Sequence, residues 1–82
     1  MPKYFVYILK SINFPNKTYI GFTNNLNNRL KEHNSGKSIY TNKYKPWEIQ
    51  TYIAFTDKKK AKSFEEYLKM GSGYAFFKRR LI

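Results

Sequence analysis

The chain has 82 residues, with 16 Lys or Arg against 5 Asp or Glu, a formal net charge of +11, a single histidine and no cysteine. That inventory excludes disulfides, a thiolate metal centre and a structural zinc site, and folding of so short a chain buries only about 60% of the surface its unfolded form exposes. The surplus positive charge repels itself and points to a polyanionic partner: nucleic acid first, an anionic membrane surface or a ribosome-associated role after it.

Aromatic residues make up for the small core, with eight Tyr, seven Phe and one Trp amounting to 20% of the chain. The absence of cysteine, of a signal peptide and of any long apolar run predicts a cytoplasmic, soluble single domain over 1–82, with no membrane contact and no obligate protein partner.

Residues 3–10 are β-branched and aromatic without a breaker, which predicts a buried strand. The segment 11–16 has turn chemistry around Pro15, and 17–22 reads as a second strand that closes a hairpin. Thr23, Asn24 and Asn25 offer N-cap oxygens for a helix over 24–34, which Asn34-Ser35-Gly36 should stop. On that helix Leu26, Leu30 and His33 share a face, and Arg29 lies on its margin. Residues 37–46 read as a basic loop. In 47–55, Trp47, Ile49, Thr51, Ile53 and Phe55 alternate onto one face of a third strand. A helix follows over 57–69, ended by Gly71-Ser72-Gly73, and a short terminal helix over 75–81 turns its aromatics inward. The order ββαβαα describes an α+β fold, a three-stranded antiparallel sheet flanked by helices.

The helix over 57–69 carries the most informative residue. Its apolar stripe is Ala61, Phe64 and Leu68, and Glu65 projects about 40° from Ala61, beside the stripe, while Glu66 points away. A carboxylate on the inner edge of a helix needs a cationic partner, with a metal ion or an arginine the first candidates; Lys69, at i+4, is the common surface alternative. Arg29 and His33 leave their helix side by side, so a guanidinium able to grip phosphate neighbours an imidazole able to move protons. Tyr7 and Tyr19 stand on the two hairpin strands, where tyrosines often only fill a core.

These segments together resemble the GIY-YIG nuclease family. Phe5-Val6-Tyr7 and Tyr19-Ile20-Gly21 are similar to its paired tripeptides, at the family's separation and with a hairpin between. The run from Gly21 to Gly36 resembles the family's helix with its arginine and histidine, and Phe64 to Gly73 resembles the segment that holds its metal-binding glutamate. The best fit is to the small stand-alone bacterial members, over nearly the whole chain. Two departures stand out. The first tripeptide keeps only its tyrosine, and no asparagine follows Glu65, the last being Asn42.

The resemblance implies a metal-dependent endonuclease of low sequence specificity that hydrolyses DNA phosphodiesters, with structured or branched DNA in repair or recombination as candidate substrates. Tyr7 would be the general base, favoured as phenolate by its cationic surroundings. Tyr19 would position water and phosphate, Arg29 would steady phosphoryl charge, and His33 would assist proton transfer. Glu65 would be the one protein ligand of a single Mg²⁺ or Mn²⁺. The expected DNA surface is basic: Lys37, Lys43 and Lys45, the run Lys58, Lys59 and Lys60, and Lys78, Arg79 and Arg80, giving phosphate contacts without base readout. The alternative is a nucleic-acid-binding module, for DNA or RNA, that keeps the fold without turnover.

Overall fold

In the computed structural model, which describes residues 3–82, the chain runs as β1 (Tyr4–Ser11), β2 (Thr18–Thr23), α1 (Leu26–Asn34), α2 (Ile39–Lys43), β3 (Trp47–Phe55), α3 (Lys58–Leu68) and α4 (Gly71–Arg80). The three strands form an antiparallel sheet in the order β2-β1-β3, so β1 is central and its Val6, Tyr7, Ile8 and Leu9 are all buried. Strand alternation sends these four to opposite faces. Val6 and Ile8 pack with Ala61, Leu68 and Phe77 of α3 and α4, whereas Tyr7 and Leu9 pack with Trp47, Leu26 and Leu30 toward α1. The sheet is thus sandwiched between two helical layers.

Three expectations change on this fold. The strand over 47–55 does not keep one face. Ile8 pairs with Thr51 but Leu9 with Ile49, which leaves Gln50 as an extra residue. Such a bulge flips the following side chains across the sheet. Trp47 and Ile49 therefore serve the α1 side, while Phe55 packs against the α3 side.

The loop over 37–46 contains the short helix α2. No side-chain cap holds it; instead Trp47 Nε1 donates to the Thr41 carbonyl at 2.7 Å and the Tyr40 hydroxyl to the Thr18 carbonyl at 3.2 Å. The terminal helix starts at Gly71 rather than 75, and only Phe77 of its two phenylalanines is buried. Gly73 is what permits that start, because a Cβ there would overlap the Tyr67 carbonyl at the end of α3.

The other boundaries fall within two residues of expectation. Asn25 caps α1 through its side chain to the Asn28 amide, and Asp57 caps α3 to the Lys59 amide. At the far end of α1, the Asn34 amide brackets β3. It donates to the Trp47 carbonyl at 3.1 Å and accepts from the Trp47 N–H at 2.6 Å. That bracket fixes where α1 lies over the sheet, and so where His33 and Arg29 point.

Candidate active site

Tyr7 sits directly across the ladder from Gly21 on β2. Its ring lies over that glycine so closely that a Cβ at position 21 would overlap the phenol's Cζ and hydroxyl. Glycine is required here for close approach, not for its backbone angle. The ring is thereby aimed past the edge strand, where the phenolic oxygen meets α1.

Two residues of α1 hold that oxygen. Arg29 Nε donates to it at 3.3 Å, and His33 Nε2 lies 2.9 Å from it. The other imidazole nitrogen, Nδ1, is 2.9 Å from Thr41 Oγ1, and Thr41 donates in turn to the Ser38 carbonyl at 3.4 Å. Proton positions are assigned from this network, starting at its far end. A carbonyl only accepts, so the Thr41 hydroxyl points at Ser38 and its lone pair receives the Nδ1–H. Nε2 is then bare and accepts the Tyr7 hydroxyl. The opposite tautomer would leave the phenolic hydrogen with no acceptor among the described residues. Arg29 is itself braced, with Nη1 2.9 Å from Glu32 Oε1. Its pKa is raised by the bond to Tyr7 and then by Glu32.

Burial corrects the expectation that Tyr7 rests as a phenolate. Tyr7 is 2% exposed, and loss of water pushes its pKa up to about 12, against the lowering effect of the Arg29 bond. Tyr19 and Glu65 contribute smaller parts of that rise. The phenol is therefore neutral near pH 7. His33, 1% exposed, has its pKa lowered, first by burial and then by the Arg29 charge, so it too is neutral. At rest, then, a neutral phenol donates to a neutral imidazole.

Tyr19 lies against the same imidazole, with ring centroids 4.8 Å apart, and 6.2 Å from the Tyr7 ring. Glu65 comes from the other helical layer. It is 9% exposed beside buried Ala61 and Leu68, where helical periodicity places it. Its negative charge contributes a small raising effect to the Tyr7 pKa. Its cationic partner is Lys69 Nζ, 2.8 Å from Oε2, rather than an arginine.

Among the described residues no group of three or more His, Cys, Asp or Glu side chains converges to hold a metal. A lone carboxylate does not suit zinc, but it does suit a hard cation that keeps most of its water. Lys69 is the competitor such a cation must displace.

The expected basic residues are all exposed, and of them only Lys58 lines either of the two clefts beside the site. Lys58 lines a cleft with Arg29, Asn28 and Phe22. Lys78 stands over the Tyr74 ring at 5.8 Å. Lys43 stands over Tyr44 at 5.7 Å, and Lys37, Lys45, Lys59, Lys60, Arg79 and Arg80 line neither this cleft nor the one beside Tyr19. Sequence reasoning missed Glu32 and Thr41. The i, i+3 spacing from Arg29 could have found Glu32. Nothing local marks Thr41, which reaches His33 only because α2 folds back onto α1.

Comparison with known proteins identifies the same fold and domain. The family model described as the GIY-YIG catalytic domain matches residues 3–74. The UPF0213 protein YazA of Bacillus subtilis is 37% identical over 80% of this chain, and a UPF0213 protein of Clostridium perfringens is 39% identical over 79%. A structure-specific endonuclease subunit SLX1 homolog of Giardia intestinalis is 36% identical over 71%. The chain spans 66%, 69% and 17% of the lengths of these three relatives. The solution structure of a UPF0213 protein from Bacillus halodurans superposes with a TM-score of 0.55 and 27% identity, covering 95% of this chain and 85% of that one.

Proposed function

The chain belongs to the GIY-YIG family of nuclease domains, and on that premise we propose that it is a divalent-metal-dependent endonuclease that hydrolyses DNA phosphodiesters with little sequence preference. The observation that carries the reading is the Tyr7 hydroxyl, gripped between a guanidinium and a bare imidazole nitrogen.

In this reading the attacking water gives a proton to the Tyr7 oxygen as Tyr7 passes its own proton to His33 Nε2. The hydroxide forms the new P–O bond, the bond to the 3′ oxygen breaks, and solvent protonates the leaving alkoxide. His33 then returns its proton to solvent through Tyr7. The relay removes the need for a resting phenolate, which a pKa of about 12 would forbid. Arg29 spends Nε on Tyr7 and Nη1 on Glu32, which leaves Nη2 for a phosphoryl oxygen. Tyr19 would set the position of water and phosphate.

Glu65 would hold the one divalent cation, magnesium or manganese, completed by water. When bound, that cation supplies positive charge for the phosphoryl and leaving oxygens. The exposed lysines and arginines would contact phosphates without reading bases, so affinity falls steeply with salt. Structured or branched DNA, in repair or recombination, is the substrate we favour, in keeping with the name of the Giardia relative.

One observation favours the alternative of a binding module without turnover: the Lys69 ammonium already on Glu65. A single experiment separates the two. Glu65→Gln should abolish magnesium-dependent cleavage and keep DNA binding. Cleavage by that variant at the wild-type rate would refute the metal assignment, and a wild-type protein that binds but never cuts would establish the binding module.

A further inference from the structure

β2 is an outer strand of the sheet, and Gly21 divides it. On one side of that glycine, Phe22 and Thr23 line the cleft that holds Arg29. On the other, Thr18, Tyr19 and Ile20 line a second cleft of about 470 Å³. A phosphodiester at the Tyr7 oxygen would therefore have a polar, basic recess to one side and this second recess to the other.

The second recess is aromatic and cationic at once. Lys17 and Lys69 line it, and so do Tyr40 and Tyr74. Neither of these two rings is loose. Tyr40 is pinned by its bond to the Thr18 carbonyl and rests against Tyr19, Tyr44 and Trp47 at centroid distances of 6.2, 5.3 and 6.1 Å, yet it stays 41% exposed. Tyr74 stacks on Phe77 at 5.8 Å and is 46% exposed. Two held aromatic rings, each left partly in water beside two lysines in one recess, form a surface fitted to a flat, anionic ligand.

We propose that this recess binds an unpaired nucleotide of the strand being cut, with its base against the tyrosine rings and its phosphate on Lys17 and Lys69. A duplex cannot use such a site, because the faces of its bases are already covered by their stacking neighbours. An unpaired base offers a free π face whatever its identity, and stacking on fixed aromatic rings is the sequence-tolerant way to hold it. Lysine and phosphate complete the match in charge. A phosphate here also draws Lys69 away from the Glu65 carboxylate. The proposal rests on the nuclease reading and narrows its substrate to strands with a single-stranded segment beside the cut.

The test is binding without cleavage. A short fluorescein-labelled oligonucleotide, as single-stranded DNA, as the same sequence in duplex and as single-stranded RNA, is titrated with protein in EDTA, and anisotropy is recorded. The wild type should bind the single strands more tightly than the duplex. Tyr74→Ala and Tyr40→Ala should each weaken single-strand binding roughly tenfold or more and leave duplex binding unchanged. Tyr74→Phe, which keeps the ring stacked on Phe77, should retain affinity. Tyr40 borders the buried Thr41, so a far-UV melt checks the Tyr40 variant. Tyr74, on the exposed side of α4, carries the test if Tyr40→Ala does not fold.

Whichever of DNA and RNA binds tighter names the source of the nucleotide. Equal losses on single strand and duplex, or no loss on either, would overturn the proposal. Because no turnover is read, that failure stands apart from failure of the nuclease reading, which Glu65→Gln decides.

Discussion

Replacing Thr41 by valine removes the hydroxyl that accepts the His33 Nδ1–H while keeping nearly the same side-chain shape. In a site where His33 is 1% and Thr41 0% exposed, no water takes its place. An orphaned buried donor costs about 1–3 kcal/mol. For a domain of this size that lowers Tm by roughly 4–8 °C for each kcal/mol. Moving the proton to Nε2 relieves Nδ1 but shifts the orphaned hydrogen to the Tyr7 hydroxyl, so the cost remains, and an Nε2 that donates can no longer receive the phenolic proton. Loss of a positioned proton acceptor lowers the rate about 10²–10⁴-fold.

Because His33 is the sole histidine, the ¹⁵N spectrum of histidine-labelled protein reports this one ring. Wild type should show protonated Nδ1 and bare Nε2, Thr41→Val the reverse, and Thr41→Ser should restore both the wild-type pattern and the rate. A wild-type ring already protonated on Nε2, or a valine variant with unchanged spectrum and cleavage, would refute the reasoning.

Two further outcomes follow from the same site. Gly21→Ala drives a methyl group into the Tyr7 ring, and overpacking of this kind costs about 1–3 kcal/mol; chemical denaturation should show the loss, and cleavage should fall further than stability because the phenol is displaced. The pH dependence is set by His33. Its folded pKa lies below the unfolded value of 6.5, so the unfolded chain binds more protons as pH falls, and the stability held above pH 6.5 is lost progressively below it. Cleavage should decline over that same acid range as Nε2 becomes protonated, which a pH–rate profile with a parallel thermal melt will measure; a rate independent of pH through that range would remove His33 from the relay.

Much of the site was legible because its residues obey local geometry. Glu65 stands at the stripe's edge by helical spacing, Arg29 and His33 are neighbours by i, i+4, and the hairpin sets Tyr7 opposite Gly21. What escaped was tertiary. α2 is short, polar and uncapped, and owes its existence to the Trp47 indole and the Tyr40 hydroxyl, neither of which a local pattern reveals. The inserted Gln50 is invisible in the strand's alternation, because exposure still alternates along β3 even as the faces exchange. The state of Tyr7 was misjudged for a related reason. Cationic neighbours can be read from composition, whereas the loss of water that outweighs them depends on how deeply the ring is sunk.

The Asn34 bracket limits what this scaffold can tolerate. Its side chain meets a single residue with both polarities, giving a hydrogen to the Trp47 carbonyl and taking one from the Trp47 amide. An aspartate would set a negative oxygen against that carbonyl, and an alanine would release both groups. This spot thus admits only a short carboxamide, and conversion of that amide to acid as the protein ages would loosen the helix carrying His33 without touching any reacting atom.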